Sequence, residues 1–135
     1  MMQLVLDANI LFAALIKDGT TRKIFMEKNA KFYVPEFIFH ELFKHLAELR
    51  AKTNLSETVI KKQIIELFDL ANIEIISSIE IKPFLKQAEK ICPDINDIHY
   101  FALALKMKCP IWSEDKKLRE QSEIKIITTK ELMSY

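Results

Sequence analysis

Four acidic residues stand at positions from which their carboxylates can meet: Asp7, Glu41, Asp97 and Asp115. Asp7 follows the apolar run LVL, and Asp115 ends the segment IWSED. Carboxylates that lie close together raise one another's pKa unless a divalent cation neutralises them. A ligand set of oxygen atoms, without a histidine or cysteine pattern, favours Mg²⁺ or Mn²⁺ over zinc. Such a cation can polarise a phosphoryl oxygen and activate water, which is the chemistry of metal-dependent phosphodiester hydrolysis.

Each of these acids, taken alone, has a simpler interpretation. Asp7, Asp94, Asp97 and Asp115 stand at or near expected helix starts, where a carboxylate caps free N–H groups and favours the positive end of the helix dipole. Glu41 alone would be a solvated glutamate on a helix. The cation-site interpretation therefore depends on the set. The two interpretations are compatible, because one oxygen can cap a helix while the other faces an ion.

The elements that must position the acids alternate along the chain. Strands are predicted for the segments QLVLD, KFYVP, NIEIIS, CPIWSED and IKIITT. Helices are predicted over residues 9–17, 21–28, 36–52, 57–70, 83–91, 94–107 and 116–121, with Pro35 leading into the first turn of the long third helix. Parallel strands need crossover connections, so this order predicts a three-layer α/β/α fold with a central parallel sheet of about five strands. Ligands bind at the carboxyl ends of such strands, where Asp7 and Asp115 fall.

Length and composition set broad limits on the protein. The chain has 135 residues, 50% of them hydrophobic and 29% charged, which predicts one globular domain over residues 1–135. A net charge of +1 neither indicates nor excludes a nucleic-acid partner. The apolar runs are too short for a membrane span, and the N-terminus has no signal-type pattern. The two cysteines are too few for a disulfide framework, so we expect a cytoplasmic protein with no membrane partner.

Four motifs together resemble the PIN-domain ribonucleases, a family that includes VapC-type toxins. They are LDAN after the first strand, PEFIFHELFKHL around Glu41, DINDIHYFALAL around Asp97, and IWSEDKKL around Asp115. The motifs occur in the expected order and cover essentially the whole chain. Ser113 stands where a threonine is commoner in the family, which keeps the hydroxyl group, and no core acid is missing.

The resemblance implies a divalent-metal-dependent endoribonuclease that hydrolyses single-stranded RNA. The acids that it assigns to catalysis and to Mg²⁺ or Mn²⁺ binding are Asp7, Glu41, Asp97 and Asp115. Asn9 and Ser113 match positions with a polar supporting role, and Asp94 matches an extra acid of some branches. If the protein is the toxin of a toxin–antitoxin pair, a small antitoxin protein is its partner.

Basic residues near the acids are candidate contacts for the RNA backbone. Lys116, Lys117 and Arg119 follow Asp115 directly, and Arg22 begins the second helix. Lysine and arginine at such positions can bind phosphates. A solvated helix surface explains them equally well.

Three phenylalanines exceed what one buried helix stripe needs. They are Phe37, Phe39 and Phe43, all in the segment that carries Glu41. An apolar excess of this kind favours a protein–protein contact. We expect a homodimer interface or the seat of a partner helix.

Three other functions are compatible with an acid after a first strand. A catalytically silent RNA-binding or assembly module could share the fold, although the intact acids argue against it. A phosphoaspartate enzyme of the haloacid-dehalogenase type needs a second aspartate two residues after Asp7, where this chain has Asn9. A receiver domain needs an acceptor aspartate after its third strand, where NIEIISS provides serines.

Overall fold

The computed structural model describes residues 1–16 and 19–135, and within these residues it contains a five-stranded parallel sheet. The strands are β1 (Met2–Leu6), β2 (Ala30–Pro35), β3 (Glu74–Ile76), β4 (Ile111–Trp112) and β5 (Ile126–Ile127). Their order across the sheet is β3-β2-β1-β4-β5. The predicted number and direction of the strands are confirmed.

The helices lie on both faces of this sheet. They are α1 (Ala8–Leu15), α2 (Gly19–Glu27), α3 (Ile38–Lys44), α4 (Leu46–Thr53), α5 (Glu57–Leu70), α6 (Ser78–Ile81), α7 (Leu85–Ile91), α8 (Ile98–Met107) and α9 (Thr129–Leu132). Short 3-10 helices occupy Lys82–Phe84, Ile95–Asp97 and Lys116–Glu120. The predicted three-layer α/β/α fold is confirmed. No helix of the described residues has the length and apolar character to cross a membrane.

The central strand β1 is buried on both faces, as expected for a strand inside a covered parallel sheet. It pairs with β2 on one side and with β4 on the other, where Leu6 lies opposite Trp112. Trp112 is fully buried and packs against Phe25 of α2 and Phe32 of β2, with ring centroids 5.2 and 6.1 Å away. Its indole N–H donates to Thr129 Oγ1 at 3.0 Å, which satisfies the polar atom inside the core. These contacts hold the ends of β1 and β4 side by side.

The long helix predicted for residues 36–52 is two helices in the structure. The break is at His45, whose φ of −99° and ψ of 13° end α3 and precede α4. The apolar residues Ile38, Leu42 and Leu49 are all buried, so their spacing keeps a helical period across the break. The periodicity of apolar residues does not reveal a one-residue interruption of the helix. After this interruption, α4 packs on α5.

Pro35, which we predicted to lead into that helix, is the last residue of β2 and pairs with Ile76 of β3. Proline cannot donate a backbone hydrogen bond, but a strand end does not require it to. The next residue, Glu36, donates its N–H to the Ile76 carbonyl oxygen at 2.9 Å. Of the first predicted helix, residue 17 lies outside the described residues.

Candidate active site

Asp7 and Ser113 form the centre of the site because they follow two neighbouring strands. The Asp7 N–H donates to the carbonyl oxygen of Trp112 at 3.2 Å, which extends the β1–β4 pairing by one residue. The Ser113 hydroxyl then donates to Asp7 Oδ2 at 2.6 Å. Both residues are buried, with 7% of Asp7 and 0% of Ser113 exposed. A charge-assisted hydrogen bond of this length orients the carboxylate firmly.

Ser113 also joins Asp7 to Asp115. Its hydroxyl oxygen accepts a hydrogen bond from the Asp115 N–H at 3.0 Å. Asp115 is exposed, and its Oδ1 accepts from the Lys117 N–H at 3.0 Å, which caps the following 3-10 helix. One serine therefore fixes both the carboxylate of the first strand end and the backbone of the second.

Glu41 reaches the same site from α3. Its Oε1 accepts a hydrogen bond from the Tyr100 hydroxyl of α8 at 3.0 Å. Burial, and then the negative charge of Glu41, raise the pKa of Tyr100, so its hydroxyl keeps the proton that it donates. Sequence reasoning missed Tyr100. Its position three residues after Asp97, on the same face of the helix, was the available signal.

Asp97 carries the clearest electrostatic sign that the acids are close together. Burial, and then the negative charges of Asp7, Asp94, Asp115 and Glu41, raise its pKa to about 7. The pKa of Asp7 is also raised, chiefly by burial, although the Ser113 hydroxyl and the Asn9 backbone N–H lower it. Like charges interact this strongly when they share a partly desolvated region. The other four acids that the sequence singled out therefore all lie within electrostatic range of Asp97.

Helix capping explains some of these aspartates and not others. The Asp94 side chain accepts from the Asn96 N–H, and Asp115 caps in the same way. Asp97 precedes α8 but makes no side-chain capping hydrogen bond. Asp7 precedes α1, where the Asn9 backbone N–H lowers its pKa while burial raises it. Capping alone therefore does not account for Asp97.

The set fits a hard divalent cation by its chemistry, since carboxylate oxygens are the ligands that Mg²⁺ and Mn²⁺ prefer. The raised pKa of Asp97 fits as well, because mutual repulsion of this kind is relieved by a cation. In the described residues, no three His, Cys, Asp or Glu side chains are grouped as ligands of one metal ion. The acids are nevertheless close enough to interact electrostatically.

The predicted supporting and RNA-binding residues are placed in different surroundings. Asn9 is exposed in the first turn of α1 and lines a cavity of about 150 Å³ with His45 and Lys52.

The four basic candidates are Lys116, Lys117, Arg119 and Arg22. Lys117 lies 3.6 Å from an Asp94 oxygen, while Arg119 contacts Glu131 and donates to the Ile126 carbonyl oxygen. Arg22 donates to the Ala14 carbonyl oxygen, and Lys116 is exposed.

A group of aromatic rings borders the acids. The imidazole of His99 stacks on Phe37, with centroids 4.2 Å apart and an interplanar angle of 11°. His40 contacts the same phenylalanine at 5.2 Å. Burial lowers the pKa of His99, against a smaller opposite effect of Glu41, so the ring is neutral near pH 7. Within residues 1–16 and 19–135, its buried Nδ1 is without a hydrogen-bond partner.

Tyr100→Phe tests the role of the tyrosine hydroxyl. We expect the RNA cleavage that the sequence resemblance implies to fall by about 10- to 150-fold, since a hydrogen bond to a charged group contributes about 1.5–3 kcal/mol. Tyr100 is 1% exposed and keeps its ring, so the fold should be preserved. Tyr33→Phe is the matched control, because the Tyr33 hydroxyl contacts Gln3 and not an acid. Equal turnover by Tyr100→Phe and wild type would contradict a positioning role for this hydroxyl.

Several solved structures have a similar fold. The crystal structure of PAE2754 from Pyrobaculum aerophilum superposes with a TM-score of 0.66 at 13% identity, over 98% of this chain and 88% of that chain. A toxin–antitoxin complex from Klebsiella pneumoniae gives 0.62 at 14% identity, over 93% and 97% of the two chains. VapBC2 from Rickettsia felis, bound to a DNA fragment from its promoter, gives 0.62 at 16% identity, over 94% and 98%. At these identities the likeness concerns the fold.

Sequence comparison identifies the family. No curated protein matches the chain significantly. A family model for the PIN domain, however, matches residues 5–135, which include every acid of the site. The resemblance carried by the four acidic motifs is thereby confirmed. This chain belongs to the PIN domain family.

Proposed function

We propose that this protein is an endoribonuclease that uses Mg²⁺ or Mn²⁺ to hydrolyse phosphodiester bonds of single-stranded RNA, with residues 1–135 acting as one nuclease domain. The observation that carries the proposal is the placement of Asp7 and Asp115 at neighbouring strand ends, joined through Ser113. Burial, and then the charges of the other four acids, raise the pKa of Asp97 beside them to about 7. A protein without a cationic ligand gains nothing from such repulsion. Membership of a family whose members are generally nucleases supports the same activity.

In this proposal Asp7, Glu41, Asp97 and Asp115 hold the cation and Asp94 adds negative charge beside them. When bound, the cation polarises the phosphoryl oxygen and stabilises the charge that develops there. Ser113 orients the Asp7 carboxylate and the Asp115 backbone, and Tyr100 orients Glu41. Positioning of this kind contributes to catalysis because the ligands do not have to be ordered again in each turnover.

The proposed partner is a small antitoxin protein, with this chain as the toxin in a toxin–antitoxin pair. Two proteins of similar fold are described as members of toxin–antitoxin assemblies, which supports this proposal. We also propose a homodimer in the cytoplasm. Exposed apolar side chains such as Phe43 and Ile65, 52% and 69% exposed, are compatible with contacts to another protein.

The decisive experiment incubates the purified protein with a pool of single-stranded RNA in Mn²⁺, in Mg²⁺ and in EDTA. We expect cleavage with either cation and none in EDTA, since the carboxylates cannot balance the charge of the transition state alone. The same cations should raise the melting temperature, because ligands that bind the folded state stabilise it. Cleavage that survives EDTA would contradict metal dependence. RNA binding without cleavage in any cation would favour the silent RNA-binding module.

A further inference from the structure

The aromatic patch, defined as Phe37, His40 and His99, lies at the rim of the hydrophobic core, against which Phe37 packs. His40 is exposed, and Phe37 and His99 are half-buried. The core rings Phe25 and Trp112, by contrast, are 4% and 0% exposed and contact one another. Packing against the core therefore accounts for one side of Phe37, and the two imidazoles beside it are partly accessible from solvent.

The patch adjoins the acid site through both helices that build it. Phe37 precedes Glu41 by four residues, and its carbonyl oxygen accepts from the Glu41 N–H at 3.4 Å. Residues at this spacing lie on one face of a helix. His99 is in α8, its ring lies against Phe37, and its neighbour Tyr100 donates to Glu41. A molecule whose phosphate reaches the acids therefore has its adjoining groups beside these rings.

The three rings of the patch are in contact with one another. The His99 ring lies nearly parallel to Phe37, at 11°, and its Nδ1 has no hydrogen-bond partner within the described chain. Phe37 is the middle ring, in contact with His99 on one helix and His40 on its own. Proteins that bind single-stranded RNA commonly stack unpaired bases on phenylalanine and histidine rings held in this way.

We propose that the patch of Phe37, His40 and His99 binds a nucleobase next to the scissile phosphate of single-stranded RNA. The inference rests on the proposed ribonuclease function. It adds a substrate contact to a base, where the acids contact the backbone. Since all four bases have a flat face, the contact requires that a base be present there and discriminates little among the four. It also requires an unpaired strand, because a base in a duplex cannot turn its face to the protein.

The test compares protein variants with RNA that lacks single bases. An oligoribonucleotide that the wild type cleaves is prepared with an abasic residue at each position around the cut. At one position next to the cut, we expect base removal to raise KM by about 10-fold, since one stacked base contributes about 1–3 kcal/mol. His40→Ala and Phe37→Leu should raise KM for intact RNA by a similar factor. The abasic RNA should then show little further loss with these variants.

Phe68→Leu is the matched control for this experiment. Phe68 of α5 is half-buried and packs against the core as Phe37 does, but its ring contacts Phe39, outside the patch. His40 is exposed, so a folded His40→Ala protein is sufficient for the test if Phe37→Leu does not fold. Two results together would overturn this inference and leave the ribonuclease function intact: patch variants whose KM is within twofold of that of Phe68→Leu, and abasic RNA whose KM is within twofold of that of intact RNA. A wild type that cleaves no RNA would overturn both proposals.

Discussion

Asp97→Asn and Asp7→Asn are each expected to reduce RNA cleavage by about 10³-fold or more, the largest effect of any single substitution in this chain. Asparagine keeps the shape of the side chain but removes the charge that holds a cation. Loss of a ligand removes several kcal/mol of transition-state stabilisation, and each 1.4 kcal/mol is a factor of ten in rate. The measurement is the single-turnover rate on a labelled oligoribonucleotide in Mn²⁺.

The control for these substitutions is Asp69→Asn. Asp69 is an exposed aspartate near the end of α5, outside the group of acids that interact with Asp97. It should cleave at the wild-type rate. The two active-site variants should remain folded, because they remove one of several mutually repelling charges. Residual activity within tenfold of wild type in either variant would show that catalysis does not depend on these carboxylates.

The second large effect is a pH dependence of cation binding. Because the pKa of Asp97 is about 7 without a cation, a cation must displace a proton from it at lower pH. Below about pH 7 the apparent affinity should therefore fall by about tenfold per pH unit, and above pH 8 it should level off. Isothermal titration with Mn²⁺ at pH 5.5, 6.5, 7.5 and 8.5 measures this directly, together with the protons released. A flat affinity across this range would contradict the shared acid site.

The same shift predicts an unusual trend in the stability of the cation-free protein. The pKa of Asp97 is 3.8 in an ordinary setting and about 7 when folded, so the folded state binds the proton more tightly. Its contribution to the free energy of unfolding is then complete below about pH 4 and is lost as the pH rises to about 7. One pKa unit corresponds to about 1.4 kcal/mol, and screening of the half-exposed side chain reduces the total loss to about 1–2 kcal/mol.

Thermal unfolding in EDTA between pH 4 and pH 8 measures this trend. Wild type and Asp97→Asn should differ most at pH 8, where the variant lacks the repulsion, and least near pH 4. Saturating Mn²⁺ at pH 8 should stabilise the wild type more than the variant. An Asp97→Asn protein that is less stable than wild type in EDTA at pH 8 would contradict this sign.

The fold was predictable because its determinants are local and repeated. Each parallel strand is a short apolar run, and each crossover carries its own helix signals, so alternation alone implies the layers. The prediction of one helix over residues 36–52 was wrong because the break in that helix has no local determinant. The break at His45 leaves the spacing of Leu42 and Leu49 in register with one helix, and it depends on how α4 packs on α5. A pattern within one segment does not contain that information.

The residues of the candidate site that follow strand ends could be predicted from the sequence. Asp7 and Ser113 have defined places because parallel strands end at one edge of the sheet, and their 2.6 Å hydrogen bond follows from that topology. Tyr100 escaped prediction because a tyrosine inside an apolar helix is usually part of the core. Its hydroxyl can donate to Glu41 only when α8 is packed beside α3, and the sequence does not show that packing.

The hydrogen bond between Asp7 and Ser113 has a consequence for the time at which the protein becomes active. It joins residues 106 positions apart, and β4 can pair with β1 only after residues 111–113 have been synthesised. A growing chain on the ribosome therefore carries Asp7, Glu41 and Asp97 without the serine and aspartate that complete the site. Such long-range pairing forms late. If the proposed ribonuclease function is correct, a chain that has not yet added residues 113–115 to the sheet should therefore be inactive on RNA.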